Sequence, residues 1–328
     1  MKTDRIALQA AVISIALAGC SSSSTTSAPT IPSGTFVEYT IPTAGAGSEG
    51  LAKGPDGNVW FTEFAGSRIG VVNVSTGAIV EYSTGLTAGS EPWGIASGPD
   101  NRLWVAEDNP PTAVAAATTS GTITEYNPGT KFRRQVVAGP DSRLWFTNEG
   151  NNSIDAVTTG GGLTQYTGLV AGASPSGITV GSDGNLWFTE LGGNNIGVMN
   201  TSGTLLHEYP ITTAGATAWI CSIGPDGNVW FAENAKDQLG KITTAGAVTE
   251  YPVTAGSAPF GVWAGPDGNI WFTEQGTGKI GVMSTTGTVL HEYLVPTATP
   301  GLDDITLGPD GWMWFTEEAT NKIGKVHP

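Results

Sequence analysis

Charge is scarce in this sequence: only 13% of its 328 residues are Asp, Glu, Lys or Arg, about half the usual share. A surface helix needs a charged outer face, so the shortage excludes an all-helical bundle or coiled coil. Basic residues are the scarcer sign, 14 Lys and Arg against 29 Asp and Glu, for a formal charge of −15 and a pI near 4.4. Nucleic-acid binding, which needs a basic surface, is set aside on that ground. Two Cys and three His leave no zinc-type cluster, and neither a P-loop nor a G-x-S-x-G elbow occurs. What is present is 47 Gly, 20 Pro, 11 Trp and 39% hydrophobic residues. That apolar content argues against disorder, and the turn formers point to an all-β protein of many short strands. Its acidity suits a soluble monomer in a salty or extracytoplasmic medium.

The N-terminus reads as a targeting segment. Lys2 and Arg5 form a positive start, and Ile6 to Leu17 an apolar run too short to span a bilayer. The run ends in Leu17-Ala18-Gly19-Cys20, which resembles the lipobox of bacterial lipoproteins, where the Cys is lipidated and becomes the new N-terminus. Residues 1–20 are therefore expected to be a lipoprotein signal peptide and residues 21–33 a Ser/Thr-rich tether. Ser21 follows the Cys, so the inner-membrane retention signal is missing. The expected location is extracytoplasmic, on an outer membrane or cell surface, held by the lipid alone. With Cys20 lipidated, Cys221 has no disulfide partner. Its setting, Trp219-Ile220-Cys221-Ser222-Ile223, is that of a buried packing residue.

Self-comparison is the most informative step. A G-P-D-G-N-x-W-F-T-E segment recurs, anchored by Trp60, Trp104, Trp145, Trp187, Trp230, Trp271 and Trp314, at spacings of 44, 41, 42, 43, 41 and 43. A Glu-Tyr or Gln-Tyr strand ends at Tyr39, Tyr82, Tyr126, Tyr166, Tyr209, Tyr251 and Tyr293, which are all seven tyrosines of the chain. Each unit reads as four strands. An apolar run leads into an Asp-Gly hairpin turn; the W-F-T-E strand, a K-I-G-V strand and the Glu-Tyr strand follow. Four strands per 40 to 45 residues marks a β-propeller blade. The chain starts with a Tyr strand and ends on a third strand, Ile323-Gly324-Lys325-Val326. The N-terminal strand should therefore complete the seventh blade and remove two open sheet edges. Residues 34–328 are expected to form this seven-bladed propeller.

The W-F-T-E, N-K-I-G and G-P-D-G-N motifs resemble the streptogramin B (virginiamycin B) lyase family through all seven repeats. That resemblance implies a seven-bladed propeller and elimination at the ester bond of a cyclic depsipeptide, using histidine chemistry and magnesium. The implied histidine stands in a P-H-G or P-H-A motif five residues before the Gly of the G-P-D turn. Here those positions hold Glu49, Trp93, Arg134, Ser176, Trp219, Phe260 and Asp303. In Glu91-Pro92-Trp93-Gly94 the Glu and Pro remain but an indole replaces the imidazole, and an indole cannot act as a general base near neutral pH. His207, His291 and His327 lie in fourth strands or at the C-terminus, where exposed structural roles are expected.

The seven positions should ring one mouth of the central channel. Either they form a polar and aromatic cup that binds a small molecule or protein partner, or their aromatics plug the channel. The W-F-T-E carboxylates, Glu63, Glu107, Glu190, Glu233, Glu274 and Glu317, give a second candidate. Arg68, Lys279 and Lys322 stand five residues after the first, fifth and sixth of these and are expected to pair with them. Glu107, Glu190 and Glu233 have no such cation and are the expected ligands for Mg²⁺ or Ca²⁺. Glu91, Glu190 and Glu233 are the carboxylates available for acid–base work. The turn aspartates are expected to hold their own hairpins. Two functions follow: a lipid-anchored binding propeller, or a metal-dependent lyase or lactonase built on carboxylates.

Overall fold

A computed structural model describes residues 31–109, 114–126 and 133–328. The leader, Cys20 and most of the 21–33 tether lie outside the described residues. The chain from Pro32 onward forms one compact unit of seven four-stranded antiparallel sheets. The first strand of each sheet packs against the first strand of the next, and the seventh against the first, so the sheets close into a ring around an axis. This is the seven-bladed propeller that the repeats imply. Only two single-turn 3₁₀ helices, Asn234–Lys236 and Glu318–Thr320, interrupt the strands among the described residues.

Blade one runs from its first strand, Ser48–Lys53, to its fourth, Ile79–Tyr82. Blade seven takes three strands from the C-terminus, ending with Lys322–Val326, and its fourth from Phe36–Thr40 near the N-terminus. The register of that closing pair places Tyr39 opposite Ile323.

Each repeated residue type has a packing reason. The seven repeat tryptophans are 0–1% exposed, and each stacks on the Tyr of its own blade at centroid distances of 5.4 to 6.0 Å. The turn aspartate accepts the indole N–H, as in Asp56 with Trp60 at 3.0 Å and Asp310 with Trp314 at 2.9 Å. A buried indole therefore keeps its hydrogen bond, and these aspartates hold turns. The Phe of W-F-T-E lies flat on the Gly of the third strand: a Cβ at Gly197 would stand 2.2 Å from the Phe188 ring. Blade two exchanges both partners, with Val105 opposite Ala115, and blade three sets Phe146 opposite Asp155.

The Thr of the motif links neighbouring blades. Thr62 Oγ1 accepts the N–H of Gly50 at 2.9 Å and donates to the carbonyl of Trp93 in blade two at 2.5 Å. Thr189 and Thr273 repeat this relay. The Glu of Glu-Tyr holds the loop entering its own blade: Glu81 accepts from the N–H and hydroxyl of Thr43 at 3.0 and 3.1 Å. Glu250 does the same with Thr213, and Glu38 with Thr297. These bonds fix the loops that carry the upper mouth of the channel.

Candidate functional site

The upper face is the end where the first strands begin. The start of each first strand pairs with the end of the second, Ser48 with Glu63 and Leu302 with Glu317, so both arrive at that face. Two residues before six of the seven ring positions the backbone turns through the left-handed region, at Gly47, Glu91, Ser174, Thr217, Ala258 and Gly301, with φ between 45 and 64°. Only two of the six are Gly, so this bend stores strain of roughly 1–2 kcal/mol at each of the others. Glu91, expected to be an acid–base candidate, sits at one of these bends. Its carbonyl accepts the N–H of Asp108 at 3.0 Å.

The structure brings most of the ring residues together. Trp93, from blade two, packs with Trp219 against the apolar cluster of Ile220 and Phe260 in blades five and six, and so reaches across the axis. Trp219 and Phe260 are 5.4 Å apart, and Phe64 meets the edge of Trp93 at 5.6 Å. The aromatics thus floor the mouth. The charged members stand above and beside them. Arg134 lies over the Trp93 ring at 4.4 Å, an arrangement that favours a desolvated cation. It also pairs with Glu149 at 2.7 Å and Asp108 at 3.4 Å, and these three line a hollow of about 410 Å³. Ser176 is buried, and its carbonyl accepts the Thr147 hydroxyl.

Glu49 and Asp303 meet on the opposite side of the mouth, where blades seven and one join. With Glu318 they form the one group of three potential ligands found among the described residues, their oxygens within 4.8 Å of one another. Burial pushes the Glu49 carboxyl up to about 9, reinforced by the charges of Asp303 and Glu318 and opposed by Arg134. Asp303 rises to about 7 for the same first reason. Its Oδ1 takes the Gln275 amide at 2.6 Å, while Oδ2 is buried without a partner. Converging hard oxygens with one orphaned atom fit the magnesium that the family likeness implies.

The residue following each W-F-T-E carboxylate forms a second ring that the motif reading passed over. Phe64 supports Trp93, Asp108 and Glu149 hold Arg134, Gln275 holds Asp303, and Glu318 completes the acidic trio. One signal was available: like the first ring, this position changes from repeat to repeat while its neighbours recur.

The W-F-T-E carboxylates themselves are fully buried and sit in separate blades. The grouping of Glu107, Glu190 and Glu233 expected for a metal is not among the described clusters of three. Of the three expected cation pairs, Arg68 reaches Glu63 only at 4.0 Å. Lys279 and Lys322 bond instead to Glu292 and Glu38 in the fourth strands, at 3.0 and 2.9 Å, because those carboxylates lie nearer to solvent. Burial pushes Glu63, Glu190 and Glu233 up to about 8, and Glu274 and Glu317 to about 7. A second carboxylate of the same blade adds to each shift: Glu81, Glu208, Glu250, Glu292 and Glu38. At neutral pH the first three are mostly protonated and the last two about half so, each beside a carboxylate. Blade three replaces the pair by Asn148 donating to Asp155 at 2.8 Å.

The virginiamycin B lyase family profile matches residues 21–222 and 204–328. The chain belongs to the virginiamycin B lyase family. No curated protein sequence matches it. Among solved structures it is similar to a streptogramin B lyase, with 31% identity, 89% of this chain and 97% of that one covered, and a TM-score of 0.83. Virginiamycin B lyase from Staphylococcus aureus follows at 30% identity, 90% and 99% coverage and a TM-score of 0.83. A third similar structure, with the same values, is a catalytically inactive histidine-to-alanine variant of the Staphylococcus aureus lyase with quinupristin. Within this lyase family, the present chain carries no His at its seven ring positions. His207 and His291 are exposed on fourth strands beside Tyr209 and Tyr293, and His327 packs on Trp312. Cys221 is buried, its thiol pushed up to about 12 by that burial, which removes it as a nucleophile.

Proposed function

We propose that this propeller binds a small ligand at its upper mouth and does not perform histidine-dependent elimination. One observation carries the reading: two rings of variable side chains converge on an aromatic floor, with Arg134 on one side and the acidic trio on the other. A single-histidine variant inactivates the Staphylococcus aureus relative, and this mouth supplies no imidazole to act as base. The aromatics offer contact area, and the charges select orientation. Quinupristin, present with that relative, is the natural probe. Calorimetry should detect its binding, with affinity falling at least tenfold in Trp93→Ala, while chromatography shows the ring intact. Undiminished affinity in that variant would remove the mouth as the site.

The acidic trio supports a second reading, a carboxylate-based lyase or lactonase. Glu49, Asp303 and Glu318 would hold Mg²⁺ or Ca²⁺, which would supply Lewis-acid stabilisation of a developing oxyanion. With no cation bound, burial holds the Glu49 and Asp303 carboxyls at about 9 and about 7, so a cation would displace protons on binding and should bind more tightly as pH rises. Mg²⁺-dependent opening of quinupristin that disappears in Asp303→Asn would favour this reading over simple binding.

The Cys20 signal supports an extracytoplasmic lipoprotein whose contact with the membrane is its lipid, with the propeller acting as a monomer. Labelled palmitate fed to producing cells should enter the full-length chain and not Cys20→Ser. Equal labelling of both would end the lipoprotein reading.

A further inference from the structure

The first strands continue past the aromatic floor toward the opposite face of the ring. There they enclose a cavity of about 350 Å³, set apart from the acidic mouth and lined by residues including Leu51, Ile95, Val137, Ile220 and Leu307. The wall is mostly aliphatic, and one strand position shapes it. Counting three residues on from the ring position, the blades carry Ala52, Ala96, Val137, Thr179, Ser222 and Thr306, whereas blade six carries Trp263. Five of these small or medium side chains line the space, all but Ser222, and one indole faces it. Trp263 is 38% exposed, in contrast to the 0–1% of the seven repeat tryptophans. An indole held open to solvent beside an apolar cavity is a contact surface without an internal partner.

Charge marks the rim. Lys53 ends the first strand of blade one, is exposed, and belongs to the cavity wall. Asp304, the acidic residue in the same wall, directs its two oxygens to the backbone N–H groups of Leu51 and Ile305, both at 2.9 Å. The cation is thus the charge left to meet a ligand. We propose that the lower half of the channel is a second binding site, for a small amphiphilic acid. Its apolar tail lies along Trp263 inside the channel, and its carboxylate meets Lys53 at the rim. At about 30 Å³ per heavy atom, the space takes a tail of roughly ten atoms.

Decanoate is the probe, and calorimetry on the full propeller is the measurement. One saturable site is expected, with octanoate roughly tenfold weaker because two methylenes fewer are buried. Trp263→Ala should weaken decanoate at least tenfold. Ala96→Leu, which fills the space while keeping the indole, should weaken it as well. Lys53→Met keeps the aliphatic stem and removes the charge, so it should weaken decanoate but leave decanol unchanged. Absence of saturable binding would overturn the proposal, as would affinity unmoved by both Trp263→Ala and Ala96→Leu. Decanol binding the unaltered protein as tightly as decanoate would overturn the carboxylate assignment.

Discussion

The melting temperature should fall by at least about 10 °C between pH 5 and pH 8, the reverse of the acid sensitivity common among acidic proteins. Five fully buried carboxyl groups cause it. Glu63, Glu190 and Glu233 are pushed to about 8 and Glu274 and Glu317 to about 7, chiefly by burial, whereas in an unfolded chain they titrate near 4.5. Between those values the folded state holds protons that the unfolded state has released. Each such proton makes unfolding easier by about 1.4 kcal/mol per pH unit as pH rises. This stabilising contribution is complete below about pH 4.5 and lost as pH passes through 7 to 8. Glu49 and Asp303 act in the same direction.

A second set of carboxylates works the other way. Asp100, Asp141, Asp183 and Asp226 are held below their ordinary value: hydrogen bonds from the indole N–H and the turn outweigh the upward push of partial burial. Their contribution is present above about pH 4 and disappears as pH falls through their lowered values. The stability optimum therefore lies near pH 5. A Glu190→Gln variant isolates the cause. Its amide can still donate toward Glu208, so the melting temperature at pH 5 should hardly move, while the fall toward pH 8 should become shallower. Calorimetric scans across this range check both statements, and a melting temperature that is flat or rising from pH 5 to pH 8 would refute the neutral-acid assignment. The formal charge of −15 assigns a charge to every acid; Glu49, Glu63, Glu190 and Glu233, pushed to about 9, 8, 8 and 8, carry little of it at neutral pH.

The architecture was legible because its markers are few and periodic. Seven tyrosines stack on seven repeat tryptophans, so counting either residue counted blades. The buried acids were harder to read. Sequence distance favoured a cation five residues on, but the group nearest Glu190 in charge is Glu208, on the fourth strand of the same blade. Nothing in the order of residues says that Lys279 stretches past Glu274 toward solvent to meet Glu292. The ring positions at the mouth were found by counting, yet their roles depend on reach across the axis. Trp93 contacts blades five and six, more than 120 residues away in sequence, and no local pattern encodes that span. Glu318 was missed because it follows an acid already assigned to the motif.

Removing the residues up to Thr40 should lower the melting temperature by more than Tyr39→Ala or any other single side-chain truncation in blade seven, because it reopens the ring. The strand Phe36–Thr40 is the fourth strand of blade seven and, among the described strands, the only one joined to its blade solely by noncovalent contacts. Without it, Trp314 loses the Tyr39 stack at 5.7 Å, and the edge of Lys322–Val326 is left unpaired. Lys322 loses Glu38 at 2.9 Å, and the Thr297 loop loses its bonds to that carboxylate. Tyr39→Ala and Tyr82→Ala separate stacking from closure. Each removes one aromatic pair and should cost about 2–3 kcal/mol, but only the truncation frees a sheet edge. A synthetic peptide of residues 31–40 added to the truncated chain should raise its melting temperature in a concentration-dependent way, since it binds only the folded ring. A truncated chain that melts with the full-length protein, and ignores the peptide, would show that the ring is held by its blade-to-blade packing without the closing strand.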